Sequence, residues 1–193
     1  MAAESAADDG RSVSLPNLLS LARLLSVPLI VLLILEQRWI SAFVVFVLAG
    51  LSDALDGFVA RHWDLRTRLG VYLDPLADKT LLVAIYISLA AQAMLPLWLV
   101  VLVVSRDLLI VGGALLLYML GFRAELAPSR VSKLNTVMQI VFAGVVLGGL
   151  ALGLNLPTIG LQLLNAAVAA TTIASGAGYL LAWGRQSSTV EGR

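Results

Sequence analysis

The sequence predicts an all-α, polytopic membrane protein with six transmembrane helices and an N-terminal interfacial helix. Two observations support this prediction. Hydrophobic residues make up 60% of the 193-residue chain and charged residues only 13%, whereas soluble domains are about half apolar and about a quarter charged. The apolar residues also gather into six stretches, each close to the roughly 20 residues that a spanning helix needs.

The six stretches are separated by short polar connections. They lie near residues 22–37, 39–62, 70–92, 95–120, 131–154 and 158–183. Before the first of them, residues 12–21 carry leucines at helical spacing, which is typical of a short helix on the membrane surface. We expect residues 12–185 to form one membrane domain, flanked by a disordered N-terminal tail at 1–11 and a C-terminal tail at 186–193. The first tail lacks the pattern of a cleaved signal peptide.

Charge and residue usage narrow the possible functions. The net charge is +1, so no nucleic-acid partner is predicted, and membrane lipids are the partners that this composition favours. The chain contains no cysteine, which excludes disulfides, thiolate metal sites and a cysteine nucleophile.

Basic residues predict the orientation of the spans. The three connections expected on one side hold only Arg38, whereas the termini and the other connections carry Arg11, Arg66, Arg68, Arg123, Arg130, Lys133 and Arg185. Basic loops stay on the cytoplasmic side of a membrane. We therefore expect cytoplasmic termini, a site at the cytoplasmic face, and a bacterial inner membrane as the location.

Five aspartates lie within the apolar stretches: Asp53, Asp56, Asp74, Asp78 and Asp107. A charge at the bilayer centre costs about 2.5–3.5 kcal/mol on insertion scales. The first two acids are three residues apart and the next two are four apart, so each pair lies on one helix face. Because their spans are consecutive, we expect four carboxylates to converge. Carboxylates without His or Cys suit Mg²⁺ or Mn²⁺, and phosphoryl chemistry commonly uses two such ions.

Residues between the acids favour a phosphate ligand. Gly57, Ala60 and Gly70 would let a ligand or a helix approach the backbone closely, and Arg61 could form a bidentate clamp on a phosphate. Two other interpretations remain open, namely a buried ion-pair cluster that holds helices together and a cation or proton pathway. A transporter would normally carry polar residues in several spans, but residues 24–35 and 140–154 are nearly bare of them.

The same residues spell out a known signature. Residues 53–78 read D-A-L-D-G-F-V-A-R-H-W-D-L-R-T-R-L-G-V-Y-L-D-P-L-A-D. This string resembles the signature of the CDP-alcohol phosphatidyltransferases, D-x2-D-G-x2-A-R-x8-G-x3-D-x3-D, at all eight fixed positions. The six-span layout is similar to that family over the whole chain. Upstream, P-N-L-L-S-L-A-R at 16–23 resembles the family's stretch P-N-x-[LI]-[ST]-x-x-R.

The resemblance implies a role for each matching position. Asp53, Asp56, Asp74 and Asp78 would hold two divalent cations, Mg²⁺ or Mn²⁺. Asp78 would also act as the general base on the acceptor hydroxyl. The CDP group of CDP-diacylglycerol would be bound by Asn17, Ser20, Arg23, Asp56, Gly57, Ala60, Arg61 and Gly70. Taken without the signature, Asn17 and Ser20 would be helix caps and Arg23 would extend to lipid headgroups.

Three further stretches bear on the acceptor alcohol. S-R-D at 105–107, S-K-L-N-T at 132–136 and A-T-T-I-A-S-G-A-G-Y at 170–179 are most similar to cardiolipin synthases of the CDP-alcohol type, whose acceptor is phosphatidylglycerol. Phosphatidylglycerophosphate synthases are close relatives that use glycerol 3-phosphate. They typically carry R-E where this chain has Arg106 and Asp107.

Three basic residues are the candidates for holding the acceptor's phosphate: Arg106, Arg130 and Lys133. Arg106 could instead pair with Asp107, and the other two could be positive-inside anchors. The resemblance also implies a homodimer.

Overall fold

The computed structural model describes residues 15–62, 68–119 and 130–188, and the side chains of 21–53, 77–113, 119 and 130–181. These ranges contain six α-helices and no strand, which confirms the all-α prediction. The helices are α1 Leu15–Leu35, α2 Trp39–His62, α3 Arg68–Ala91, α4 Leu97–Met119, α5 Arg130–Ala151 and α6 Thr158–Ser188. Each helix falls close to one of the six predicted stretches.

The predicted interfacial helix is wrong as a separate element. Helix α1 runs without a break from Leu15 to Leu35, so residues 15–21 are its first turns. The sequence offers no glycine and no proline between Asn17 and Val27 that would end a helix, and Pro28 lies inside α1. Residues 12–14 lie outside the described residues.

Two of the described helical segments are long and apolar enough to cross a membrane, Arg130–Ala151 and Thr158–Leu181. Leu21–Leu35 and Trp39–Asp53 are shorter apolar segments. That all six helices cross a bilayer stays a prediction.

Three short connections share one geometry. Gln37, Ala93 and Gly153 have positive φ angles of 57°, 57° and 62°, and the amide after each bonds to the carbonyl five residues earlier. These bonds join Arg38 to Leu33 (2.8 Å), Met94 to Leu89 (2.9 Å) and Leu154 to Gly149 (2.9 Å). This is the Schellman ending of an α-helix, so α1, α3 and α5 all end in the same way.

The chain divides into two compact units, Met1–Ser88 and Leu89–Arg193. In the first unit, α1 packs against α2. Ile30 and Ile34 of α1 are fully buried, as is Ala42 of α2. Arg23 lies seven residues before Ile30, on the same helical stripe, so the face that buries these apolar side chains also buries its guanidinium.

In the second unit, α6 packs against both α4 and α5. The buried stripe of α4 runs through Leu99, Val103 and Arg106, at the spacing of one helix face. Near the end of α5, the side chain of Leu156 packs against the backbone of Gly149, where a Cβ atom would lie 2.5 Å from Cδ1 of Leu156. Side chains with polar groups complete the buried faces of α5 and α6: Asn135, Gln139, Thr172 and Ser175.

Candidate functional site

Two of the predicted acids meet at one arginine in the first unit. Nη1 of Arg23 donates hydrogen bonds to Oδ1 of Asp53 (2.9 Å) and Oδ1 of Asp78 (2.5 Å). These residues belong to α1, α2 and α3, so a single guanidinium links three helices. The Arg23 side chain is 2% exposed, whereas Asp53 and Asp78 keep 47% and 39% of their side-chain surface accessible.

This contact brings together both ends of the 26-residue motif, since Asp53 is its first residue and Asp78 its last. The convergence expected for the four acids is therefore seen for the two whose side chains are described. Asp56 lies in α2 and Asp74 in α3, but their side chains fall outside the described residues, as do those of Asn17, Ser20, Gly57, Ala60, Arg61 and Gly70.

The donor set at Asp53 and Asp78 suits a hard divalent cation. Both side chains offer carboxylate oxygens and both are partly accessible, and Mg²⁺ and Mn²⁺ prefer oxygen ligands. Within the part of the chain that the structure describes, no three or more His, Cys, Asp or Glu side chains are grouped closely enough to hold a metal ion. The two predicted ligands Asp56 and Asp74 are not among the described side chains.

A second polar cluster lies in the other unit, around Arg106. Its Nη1 donates to Oδ1 of Asp107 (2.6 Å), its Nη2 to the hydroxyl of Ser132 (2.6 Å), and its Nε to the hydroxyl of Ser175 (3.2 Å), which also receives Nη2. The side chains of Arg106 and Asp107 are 4% and 10% exposed. Arg106 therefore joins α4 to both α5 and α6.

Asn135 lies one helical turn beyond Ser132 and joins α5 to α6 a second time. It is fully buried, and its Oδ1 accepts hydrogen bonds from the hydroxyls of Thr171 (3.0 Å) and Thr172 (2.9 Å). The Thr172 hydroxyl also lies 2.7 Å from the carbonyl of Val168 in its own helix. The Nδ2 atom of Asn135 is buried and has no hydrogen-bond partner among the described residues.

The three basic residues predicted for the acceptor lie in different surroundings. Arg106 is buried in its cluster, whereas Arg130, which begins α5, and Lys133 are exposed. The N-terminus of a helix carries the positive end of the helix dipole, where a positive side chain is unfavourable. The charges of Arg130 and Lys133 therefore do not stabilise α5 by interaction with its dipole. Their part in acceptor binding stays a prediction.

Comparison with known proteins identifies the family. The CDP-alcohol phosphatidyltransferase family model matches residues 13–176, which include all eight signature positions and both polar clusters. The chain belongs to the CDP-alcohol phosphatidyltransferase family.

Several curated members of this family are similar in sequence. The chain is 37% identical over 183 residues to a cardiolipin synthase (CMP-forming)/mitochondrial hydrolase fusion protein of Schizosaccharomyces pombe, with 87% of this chain and 31% of that protein covered. It is 38% identical over 186 residues to the chloroplastic CDP-diacylglycerol–glycerol-3-phosphate 3-phosphatidyltransferase 1 of Oryza sativa subsp. japonica, covering 88% and 56%.

A third relative is the cardiolipin synthase (CMP-forming) of Rattus norvegicus, which is 35% identical over 185 residues, with 86% of this chain and 60% of that protein covered. The chain thus spans between about a third and three fifths of the length of these three relatives.

The sequence of this member of the CDP-alcohol phosphatidyltransferase family did not predict the hydrogen bonds that Ser132, Asn135 and Ser175 make between helices. A signal was present, because positions 132, 135 and 139 carry Ser, Asn and Gln at the spacing of one helix face. Polar side chains on one face of an apolar helix are expected to bond to a neighbouring helix. Identifying that neighbour required the structure.

Proposed function

We propose that this chain is a membrane phospholipid synthase that transfers a phosphatidyl group from CDP-diacylglycerol to phosphatidylglycerol, giving cardiolipin and CMP. The observation that carries the proposal is the meeting of Asp53 and Asp78, the first and last acids of the family signature, at the Arg23 guanidinium. The family match and the names of the relatives support it.

The chain's own residues supply the proton transfer and the phosphate contacts. The hydroxyl oxygen of the acceptor forms a bond to the β-phosphorus of CDP-diacylglycerol, and the bond from that phosphorus to the bridging oxygen breaks. CMP leaves with the bridging oxygen, and the hydroxyl proton passes to the Asp78 carboxylate, which acts as general base. Arg61 holds a phosphate of the donor through its planar guanidinium.

We assign Asp53, Asp56, Asp74 and Asp78 as the ligands of two divalent cations, Mg²⁺ or Mn²⁺. When bound, such ions neutralise the charge that develops on the transferring phosphate. Asn17, Ser20, Arg23, Gly57, Ala60 and Gly70 are proposed to line the CDP site together with Asp56 and Arg61, and Arg106, Arg130 and Lys133 to serve the acceptor.

Phosphatidylglycerophosphate synthesis, with glycerol 3-phosphate as acceptor, is the second candidate function. It is favoured by similarity to the rice enzyme at 38% identity and to the Aquifex aeolicus CDP-diacylglycerol–glycerol-3-phosphate 3-phosphatidyltransferase at 37%, of which the chain covers 70%. The Asp after Arg106 is the feature of this chain that supports the cardiolipin synthase instead.

The proposed enzyme has six spanning helices in a bacterial inner membrane, with the site at the cytoplasmic face, and acts as a homodimer. The two helical segments that are long and apolar enough to span, together with the basic residues of the proposed cytoplasmic connections, support the membrane part of this arrangement.

The test is CMP release by the full-length protein in detergent, with CDP-diacylglycerol, Mg²⁺ and either phosphatidylglycerol or glycerol 3-phosphate. We expect turnover with phosphatidylglycerol and a product with four acyl chains. Turnover with glycerol 3-phosphate alone would assign the second function, and no CMP release with either acceptor would reject both.

A further inference from the structure

Arg23 approaches the two carboxylates from the interior of the first unit. Its side chain is 2% exposed while Asp53 and Asp78 are 47% and 39% exposed. Both hydrogen bonds come from Nη1 and both end on Oδ1 atoms. The guanidinium is therefore buried, while part of each aspartate side chain stays accessible.

This placement gives Arg23 two electrostatic effects on the same acids. Two carboxylates close together repel each other, and the repulsion is strongest where water is excluded. A guanidinium bonded to both carboxylates offsets that repulsion and fixes the position of each. The same positive charge, however, opposes any divalent cation that binds to these carboxylates, because like charges at short range repel.

We propose that Arg23 is an internal counter-cation, a positioning residue that holds Asp53 and Asp78 in place and lowers their affinity for a divalent cation. The inference rests on the proposed metal site. It gives Arg23 a role beside the CDP contact proposed above, since the guanidinium is buried and bonded to the acids themselves. Cation binding and the bonds from Arg23 to the acids then oppose each other. Removing the charge of Arg23 strengthens binding of the cation, and removing the cation strengthens the bonds from Arg23 to the acids.

The test compares the full-length protein with Arg23→Gln and Arg23→Lys variants. Arg38→Gln is the matched control in the same unit, because Arg38 is 67% exposed and pairs with Glu36 at 3.2 Å. Two quantities are measured in detergent: the Mn²⁺ dissociation constant by electron paramagnetic resonance, and the midpoint of thermal unfolding in EDTA. Neither readout depends on transferase activity.

We expect Arg23→Gln to bind Mn²⁺ about tenfold more tightly, a modest part of the Coulomb interaction available at short range, and to unfold in EDTA at a lower temperature. Arg23→Lys keeps a positive nitrogen, and both bonds of Arg23 to the acids come from one nitrogen, so the Mn²⁺ affinity should stay within about threefold of that of the unsubstituted protein. Arg38→Gln should match the unsubstituted protein in both measurements.

Unchanged or weaker Mn²⁺ binding by Arg23→Gln would overturn the proposal. Should that variant fail to fold, Arg23→Lys decides, and a change in affinity well beyond threefold would contradict retention of the charge. If the unsubstituted protein binds no Mn²⁺, the metal assignment fails by itself. The unfolding midpoint in EDTA then still tests the counter-cation role, which an unchanged midpoint in Arg23→Gln would reject.

Discussion

Nη2 of Arg106 donates a hydrogen bond to the hydroxyl of Ser132, 2.6 Å away, and so ties α4 to the first turn of α5. The same guanidinium reaches Ser175 of α6 and the neighbouring Asp107. Three helices of the second unit thus share one buried cation, and the stability of this unit should depend on it.

Arg106→Gln should destabilise the protein by about 3–5 kcal/mol, because it removes the positive partner from the buried Asp107 carboxylate. Adding Asp107→Asn to this variant should recover at least half of the loss, since the buried charge is then gone. Reversible unfolding of the single and double variants in detergent measures both effects. Strictly additive losses would show that the two side chains do not act as a pair.

Thr172→Val should lower the free energy of unfolding by about 1–3 kcal/mol, because Asn135 stays fully buried and loses one of its hydrogen bonds. Thr136→Val is the control. The Thr136 hydroxyl bonds to the carbonyl of Ser132 in its own helix, and its loss should cost less than about 1 kcal/mol. Equal losses in the two variants would contradict a special role for the contact between α5 and α6.

Gly149→Ala should destabilise the protein by about 1–3 kcal/mol through overpacking, since the added Cβ would lie 2.8 Å from Cγ of Leu156 as well as close to Cδ1. Within the part of the chain that the structure describes, nothing lies within 4 Å of the Cβ position of Gly112 in α4, so Gly112→Ala should be neutral or stabilising by up to about 1 kcal/mol through helix propensity. In detergent, the midpoint of thermal unfolding should fall in Gly149→Ala and stay the same or rise in Gly112→Ala. A higher midpoint in Gly149→Ala would contradict the packing argument.

Asp78→Asn should leave the protein inserted and folded but lower CMP release by about 10²–10⁴-fold, the usual contribution of a general base. Glu36→Gln is a suitable control because Glu36 is 58% exposed in a surface ion pair. Steady-state rates with CDP-diacylglycerol and saturating acceptor provide the measurement. Full turnover in Asp78→Asn would remove the assigned role of this residue.

Removal of divalent cations with EDTA should abolish CMP release, and addition of Mg²⁺ or Mn²⁺ in excess should restore it. Sodium chloride at matched ionic strength should not restore activity, because a monovalent cation supplies less charge at the carboxylates. Turnover that persists in EDTA would reject the proposed role of Asp53 and Asp78 as metal ligands.

The helices were accessible from the sequence because they follow local periodicity. The apolar stretches locate each helix, and the buried stripe of α4 that ends at Arg106 follows the same 3.6-residue period. Continuity of α1 was missed, since the leucines before Ala22 fit an interfacial helix and the start of a longer one equally well.

The partners of Arg23 and the two serine partners of Arg106 could not be predicted from the sequence, whereas the ion pair of Arg106 with Asp107 was an expected alternative. Arg23 is 30 residues from Asp53 and 55 from Asp78, and nothing in a local pattern tells whether an arginine faces an acid, a headgroup or a phosphate. Likewise the motifs around Ser132 and Ser175 were visible as polar interruptions of apolar helices. Their common contact with Arg106 depends on how α4, α5 and α6 pack.

The contacts of Arg106 also bear on the order of events at the ribosome. Ser175 is synthesised 69 residues after Arg106. Helix α4 therefore leaves the ribosome before the Ser175 hydroxyl, which the Arg106 guanidinium contacts in the folded protein. During that interval Asp107, the next residue, is the partner already at hand. A nascent chain that stops before α6 would therefore hold the ion pair of Arg106 and Asp107 within α4 but lack the hydroxyl of Ser175.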